Sequence, residues 1–319
     1  MMRSAELVGV LHVHTRFSDG TATPAELVSL AADMGLDFLG INDHRNLKAR
    51  EAGWAGRHSG VVVLAGSELN DPTRANHILV YGADAIPPVT DTAGQLATLA
   101  SSAGLAIVAH PCETGARLPK MGPYPWNRGP LPGIDGVEVW NYMSDWKTGA
   151  TLRDLRRRVA DPDGFVGGPD PGAVDLWLQT GGCAVGGVDA HGLRFGMGPL
   201  RLEVFPYGSL LGKLQTHVLL DPGRAGDPGE EDIVEALRRG AVFTSRPALG
   251  SARGFRFRRE EDLLLLDVPA EASVRVRTAR NVIQRPVGAG TNELRLAAGE
   301  RAFVELMREG RTWICCGLE

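Results

Sequence analysis

Two histidines one residue apart, His12 and His14, followed by Asp19, are the first residues in this chain whose types and spacing could do chemistry. An imidazole pair with a carboxylate on the next turn suits a divalent metal ion better than an apolar core. The same kinds of side chain recur downstream at Asp43-His44, Glu68, His77, His110-Pro111 and Asp189-Ala190-His191. Mixed imidazole and carboxylate donors suit Zn, Mn or Fe(II). Four scattered cysteines (Cys112, Cys183, Cys315, Cys316) argue against a thiolate site and form no disulfide framework. Cys315 and Cys316 read as a strand-end pair.

Elements that could position these donors can be read between them. The apolar run Leu7–Leu11 is a strand, which would send His12 and His14 to one face. Thr23-Pro24-Ala25-Glu26 is a capping box that starts a helix through Leu27, Leu30, Ala31 and Met34, ended by Gly35. Asp37–Ile41 then closes a β-α-β unit and implies a parallel sheet. Val61–Ala65 leads to Glu68, Ile78–Tyr81 follows His77, Leu105–Ala109 delivers His110, and Cys183–Val188 delivers Asp189. Val137–Asn141 and Val218–Leu220 are further strands; Thr92–Ala103, Leu152–Val159 and Asp232–Arg239 read as helices. Six of the eight histidines sit at such strand ends, His58 and His217 being the exceptions. Functional groups collect at strand ends in α/β barrels.

From about Gly250 the pattern becomes short alternating runs separated by turns, which predicts a small antiparallel, sandwich-like β module. The division is therefore 1–250 and 251–319. The arginines of the module (Arg256, Arg258, Arg275, Arg277) read as a solvated strand face. With 43% hydrophobic and 23% charged residues and a net charge of −4, the chain reads as an ordinary globular protein. That charge gives no case for long nucleic acid or an anionic membrane. The apolar runs are too short for a bilayer span and no signal peptide is evident, so a cytoplasmic location is expected. Oligomeric state is left open.

In combination and order, His12-x-His14 with Ser18-Asp19-Gly20, Asp43-His44, Glu68, His77, His110-Pro111 and Asp189-x-His191 resemble the PHP (polymerase and histidinol phosphatase) family of metal-dependent phosphoesterases. The resemblance covers residues from about 7 to 195. One departure is Asn42, where threonine is more usual; it is not a ligand position. The resemblance implies an α/β fold, a distorted seven-stranded β/α barrel, and three divalent metal ions (Zn, Mn or Fe). His12, His14, Glu68 and Asp189 would hold one; Glu68 would bridge to a second held by His77 and His110; Asp19, His44 and His191 would hold the third. It also implies a hydrolase of phosphate esters, acting through a metal-bridging hydroxide, with Glu68, Asp189 and His191 in the catalytic centre. The substrate would be a small phosphomonoester, a nucleotide or a short oligonucleotide; a polymerase role has no room in this chain. The C-terminal β module resembles that of the carbaryl-hydrolase-like branch, so carboxylester or carbamate hydrolysis on the same cluster is the alternative. A non-catalytic metal-binding scaffold is the third reading.

For substrate phosphate, Arg45 and Arg194 are the expected guanidinium partners, and Lys147 is expected to lie farther from the pocket. Asp43 is expected to hydrogen-bond a ligand rather than to be one. Glu138 and Asn141 end a strand and could face the cavity, Glu138 then as a proton donor, although structural hydrogen bonding is the expected role of both. The Pro- and Gly-rich segment Gly115–Gly133, with Lys120, Tyr124, Trp126 and Arg128, is expected to lie over the metals, with Tyr124 or Trp126 as a stacking wall.

Overall fold

Strand β1 (Glu6–Val13) carries a buried apolar run and pairs in parallel with β2 (Phe38–His44) across helix α1 (Pro24–Asp33). The helix starts as its capping box dictates: the Glu26 N–H donates to Thr23 Oγ1 at 3.3 Å, and the Glu26 carboxylate accepts the Thr23 N–H at 2.7 Å. The structure, a computed structural model, describes residues 5–102, 104–116, 121–195, 202–221 and 227–319, without the side chains of Arg194, Phe195 and Leu202.

After β2 come α2 (Lys48–Glu51), β3 (Gly56–His58), β4 (Val61–Leu69), β5 (Ile78–Tyr81), α3 (Thr92–Ser101), β6 (Leu105–Val108) and β7 (Gly136–Asn141). The next elements are α4 (Tyr142–Lys147), α5 (Leu155–Ala160), α6 (Pro171–Thr180), β8 (Cys183–Gly187), β9 (Leu193–Phe195) and β10 (Leu202–Val204). Then α7 (Tyr207–Leu210), β11 (Gln215–Leu219), α8 (Glu230–Arg238) and β12 (Val242–Ser245) lead to the C-terminal strands. These are β13 (Arg256–Glu260), β14 (Leu263–Val268), β15 (Ala272–Arg277), β16 (Val282–Val287), β17 (Gly290–Arg295), β18 (Ala302–Arg308) and β19 (Arg311–Leu318). Helix α5 starts later than the sequence suggests because Asp154 Oδ1 accepts from both the N–H (2.7 Å) and the hydroxyl (2.8 Å) of Thr151, holding residues 151–154 in a turn.

One large mixed sheet runs in the order β16-β15-β18-β19-β12-β11-β1-β2-β4-β5-β6-β7-β8, with β3 added beside β4. The pairs β1/β2, β2/β4, β6/β7 and β7/β8 are parallel, whereas β5 is antiparallel to both β4 and β6. The Asn70–His77 connection is shorter than the roughly twelve residues a parallel crossover needs, so the chain turns straight back. His77, at the start of β5, therefore reaches the sheet edge to which β4 delivers Glu68. Beyond β8 the chain returns to β1: Val13 and Ala190 form a parallel bridge, and the His14 N–H donates to the Ala190 carbonyl at 2.9 Å.

Both faces of this sheet are covered, which is why its strands read as continuous apolar runs. Val10, Leu39, Ile41, Val63, Val137 and Ala184 pack with residues of α1 and α6 in one core. Leu11, Phe38, Val62, Leu64, Leu79 and Ile107 pack with residues of α8 in another. In the C-terminal part, the sheet β13-β14-β17 packs on β15, β18 and β19 through Phe255, Leu264, Val274, Leu306 and Trp313. Strand β19 also pairs with β12 (Thr244 opposite Cys315), so the C-terminal strands continue the main sheet. Cys315 and Cys316 are buried free thiols on opposite faces of β19, in the first and the C-terminal core respectively. Among the described residues, no helix is long and apolar enough to cross a membrane.

Candidate metal centre

Strand ends converge on a single buried carboxylate. Glu68 Oε2 lies 3.3 Å from His12 Nε2, 3.2 Å from His14 Nε2 and 3.2 Å from His44 Nδ1. Its Oε1 lies 2.6 Å from His77 Nδ1 and 3.0 Å from His110 Nε2. Asp189 Oδ1 is 3.4 Å from His12 Nε2, 3.3 Å from His14 Nε2 and 3.4 Å from His191 Nδ1. Asp19 closes the outer side, 3.3 Å from His191 Nε2 and 3.6 Å from His44 Nε2. The nine residues expected to be ligands are thus brought together. Their donor atoms fall into groups that could each hold an ion: His12–His14–Glu68, Glu68–His77–His110, His12–His110–Asp189 and His14–Asp19–His44–His191.

The histidine pair does not converge by simple strand alternation. His12 has φ 65°, and the β1/β2 register shifts between Val10 and Val13. His110 and Asp189 also take positive φ, 25° and 54°. Left-handed backbone costs a non-glycine residue about 1–3 kcal/mol and tends to be retained at functional sites.

The donor set fits metal ions. His12 Nε2, both nitrogens of His14 and His110 Nδ1 are buried without a hydrogen-bond partner among the described residues. Orphaned buried polar atoms are costly, and a cation satisfies the lone-pair nitrogen of an imidazole. Two donors each about 2.0–2.2 Å from one metal stand roughly 3.0–3.5 Å apart, close to the separations observed here. Without cations three of the imidazoles, His12, His14 and His110, favour the protonated form. Burial disfavours the charged form, yet the Asp189 and Glu68 carboxylates push His14 up to about 9, and Glu113 and Glu68 push His110 up to about 9. For His12 the carboxylates of Glu138, Asp189 and Glu68 likewise outweigh burial. His44 is pushed down to about 4, by burial first and by its imidazole neighbours. Glu68 and Asp189 are held well below the ordinary carboxylate range by surrounding histidines despite burial.

Further residues fix this cluster in place. Glu138 Oε1 lies 2.8 Å from His12 Nδ1, while its Oε2 accepts from the His110 N–H and the Asn141 amide, both at 2.9 Å. Glu138 therefore stands behind the imidazoles rather than over the cavity, which removes it as a proton donor and gives it and Asn141 structural hydrogen bonds. Asp43 touches no ligand imidazole. It accepts from the Thr15 N–H (2.8 Å), the Thr15 hydroxyl (2.7 Å) and the Ser18 hydroxyl (2.7 Å), tying down the loop that carries Asp19. Two residues carried no sequence signal. Tyr207 Oη donates toward the carbonyls of His14 (2.9 Å) and His191 (2.7 Å), and Glu113 lies 3.4 Å from His110 Nδ1.

Beside the cluster is a cavity of about 360 Å³ whose lining includes Arg74, Met121, Tyr124, Met143, Lys147 and Leu193. Two expectations about its cations are corrected. Arg45 turns away to bind the Asn70 carbonyl (2.8 Å), Gln95 Oε1 (3.2 Å) and the Pro87 carbonyl (3.2 Å), because that loop needs its carbonyls satisfied. Lys147, expected to be remote, reaches the cavity because α4 begins directly after β7. Arg194 lies on β9, but its side chain falls outside the described residues. Tyr124 stacks on His77 with ring centroids 5.1 Å apart. Trp126 instead is half-buried, packs against the core and donates to the Gly129 carbonyl. Within Gly115–Gly133, residues 117–120, Lys120 included, lie outside the described residues; the others form no helix or strand. The segment is bound to the Asn70–His77 connection through Asn127 N–H to Asn76 Oδ1 (2.8 Å) and Arg128 to Asp71 (3.2 Å).

Residues 11–99 match the family model of the PHP domain. Over this stretch the sequence is that of a PHP domain. The match takes in His12, His14, Asp19, His44, Glu68 and His77, and the sheet brings His110, Asp189 and His191, which lie beyond it, to the same cluster. A two-domain protein from Bacteroides vulgatus, described as containing a predicted PHP-like metal-dependent phosphoesterase, shares 15% identity. That likeness covers 99% of this chain and 96% of the other with a TM-score of 0.52, a likeness of fold that extends beyond the PHP domain into the C-terminal strands. Partial likenesses are found to a proposed metal-dependent phosphoesterase from Bifidobacterium adolescentis (18% identity, 60% and 90% of the two chains, TM-score 0.37) and to an amidohydrolase from Chromobacterium violaceum (17% identity, 57% and 87%, TM-score 0.32). No curated protein matches the chain.

Proposed function

We propose that this protein is a metal-dependent hydrolase of phosphate esters, acting on a small phosphomonoester, a nucleotide or a short oligonucleotide. The observation that carries the reading is Glu68, a buried carboxylate within 3.3 Å of five imidazoles, beside a cavity lined by Lys147 and Arg74. In this reading the sheet is a distorted seven-stranded barrel, with a separate β module after residue 250. His12, His14, Glu68 and Asp189 would hold one divalent ion. Glu68, His77 and His110 would hold a second, and Asp19, His44 and His191 a third. Bound divalent ions supply activation of water and neutralisation of phosphoryl charge. The chain's own residues do the rest. Lys147 and Arg74 draw in and orient the anionic group, Tyr124 offers a flat face to the leaving group, and Glu138 fixes the direction of the His12 ring.

A second reading, hydrolysis of carboxylate esters or carbamates in the manner of the carbaryl-hydrolase-like branch, is favoured by the apolar part of the lining, Met121, Met143 and Leu193. One matched panel of aryl substrates separates the two: a phosphomonoester, a phosphodiester, a carboxylate ester and a carbamate, assayed with manganese-loaded protein. Turnover of the phosphate esters supports the first reading; turnover of the other two alone overturns it.

A further inference from the structure

One buried carboxylate beside the cavity is not among the nine converging donors. Glu113 lies one turn after His110, its N–H donating to the His110 carbonyl at 3.1 Å, and its side chain is fully shielded from solvent. Its Oε1 is 2.7 Å from Lys147 Nζ and its Oε2 is 3.4 Å from His110 Nδ1. His110 presents its other nitrogen to Glu68 at 3.0 Å. Lys147 in turn lines the cavity and stands 5.5 Å over the ring of Tyr124. A carboxylate this deep is strongly destabilising unless partnered. Here one oxygen faces a cation at the substrate side and the other faces an imidazole at the metal side.

We propose that Lys147 is the group that selects an anionic substrate, and that Glu113 couples it to His110. The proposal rests on the phosphate-ester reading above. In the free protein the Lys147 ammonium holds Glu113. An entering phosphate dianion shares that ammonium, and the carboxylate charge is then directed at the His110 Nδ1–H. A hydrogen bond made across what is now a 3.4 Å separation fixes the imidazole tautomer and raises the basicity of Nε2, the nitrogen that faces Glu68. Glu113 is a positioning residue, acting through His110, and Lys147 sets specificity. An uncharged ester would not draw on Lys147 in this way.

The test uses inorganic phosphate as probe and the manganese-loaded full chain. Phosphate affinity is measured by calorimetry and manganese affinity by competition with a chelator, for wild type, K147M, K147R, E113Q and E113D. K147M is expected to weaken phosphate binding by about tenfold or more without weakening manganese binding, and K147R to recover most of the loss. E113Q is expected to weaken one manganese site by roughly 10–100-fold without weakening phosphate binding to the loaded protein, and E113D to lose less. Wild-type phosphate affinity in K147M, or wild-type manganese affinity in E113Q, overturns the coupling. So does an equal loss of both affinities in both variants, which would mark shared structural damage. Wild-type protein that binds no phosphate and cleaves only the uncharged aryl esters overturns the proposed function itself; failure confined to the variants overturns only the coupling.

Discussion

At the scale of single residues, the cluster assigns unequal weight to its two kinds of carboxylate. Glu68 is buried and shared by five imidazoles, whereas the Asp19 side chain is 56% exposed, lies close to His44 and His191, and is 3.9 Å from His14 Nδ1. Asp19→Ala is therefore expected to remove about one equivalent of bound metal and to leave the His12/His14 site filled. Glu68→Ala should remove about two. Metal analysis by mass spectrometry on dialysed protein checks both, and equal losses from the two variants would contradict the arrangement. Glu138 supports His12 from behind, so Glu138→Gln should keep the fold and weaken metal binding by roughly 10–100-fold, read by chelator competition. The strand-end histidines, Glu68 and Asp189 stand out in the sequence because each lies at the edge of an apolar run, whereas Asp19 sits in a polar turn and joins the ligand set only through the resemblance to the PHP family. Glu113 and Tyr207 do not stand out, because nothing in their local sequence shows which distant backbone or side-chain atom they will meet.

At the scale of elements, the loop over the cavity separates two aromatics that the sequence could not tell apart. Tyr124 stacks on His77 at the cavity wall, while Trp126 anchors the loop to the core. Tyr124→Ala is expected to raise KM with little change in melting temperature. Trp126→Ala should lower stability by about 1–3 kcal/mol, as loss of a large, half-buried side chain does, with the effect on KM secondary. Denaturant melts and steady-state kinetics on the two variants decide it; interchanged outcomes would exclude this division of labour. The strands and helix α1 were readable because period, cap and breaker agree over ten or so residues. The reversed direction of β5 was not: it depends on a connection too short for a crossover, and a strand's direction leaves no mark on its own composition. Arg45 was misread for a related reason. A cation beside His44 is equally available to a ligand or to nearby loop carbonyls, and only tertiary structure decides between them.

At the scale of the whole molecule, Glu6 ties the metal-bearing part to the C-terminal strands. On β1, it lies 2.8 Å from His217 Nδ1 on β11, accepts the Gly254 N–H at 3.0 Å, and pairs with Arg256 of β13 at 2.7 Å. Burial works against its charge, but His217, Gly254 and Arg256 together hold its carboxyl down at about 2 against an ordinary 4.5. A carboxyl whose folded pKa is depressed contributes stability above its unfolded pKa and loses it as pH falls toward the folded one. The difference corresponds to about 3 kcal/mol, an upper figure given the polar surroundings. Glu6→Gln should therefore be less stable than wild type by up to about 3 kcal/mol at pH 7 in urea unfolding, because the carboxylate's advantage is lost and His217 and Arg256 keep only a neutral amide. Between pH 4.5 and about 2 the gap should narrow as the wild-type carboxyl takes up its proton. A constant gap across that range would mean that Glu6 contributes packing rather than charge. Because Glu6 and His12 lie on the same strand, β1, with the tie at one end and the metal donors at the other, metal binding at pH 7 should change little in this variant.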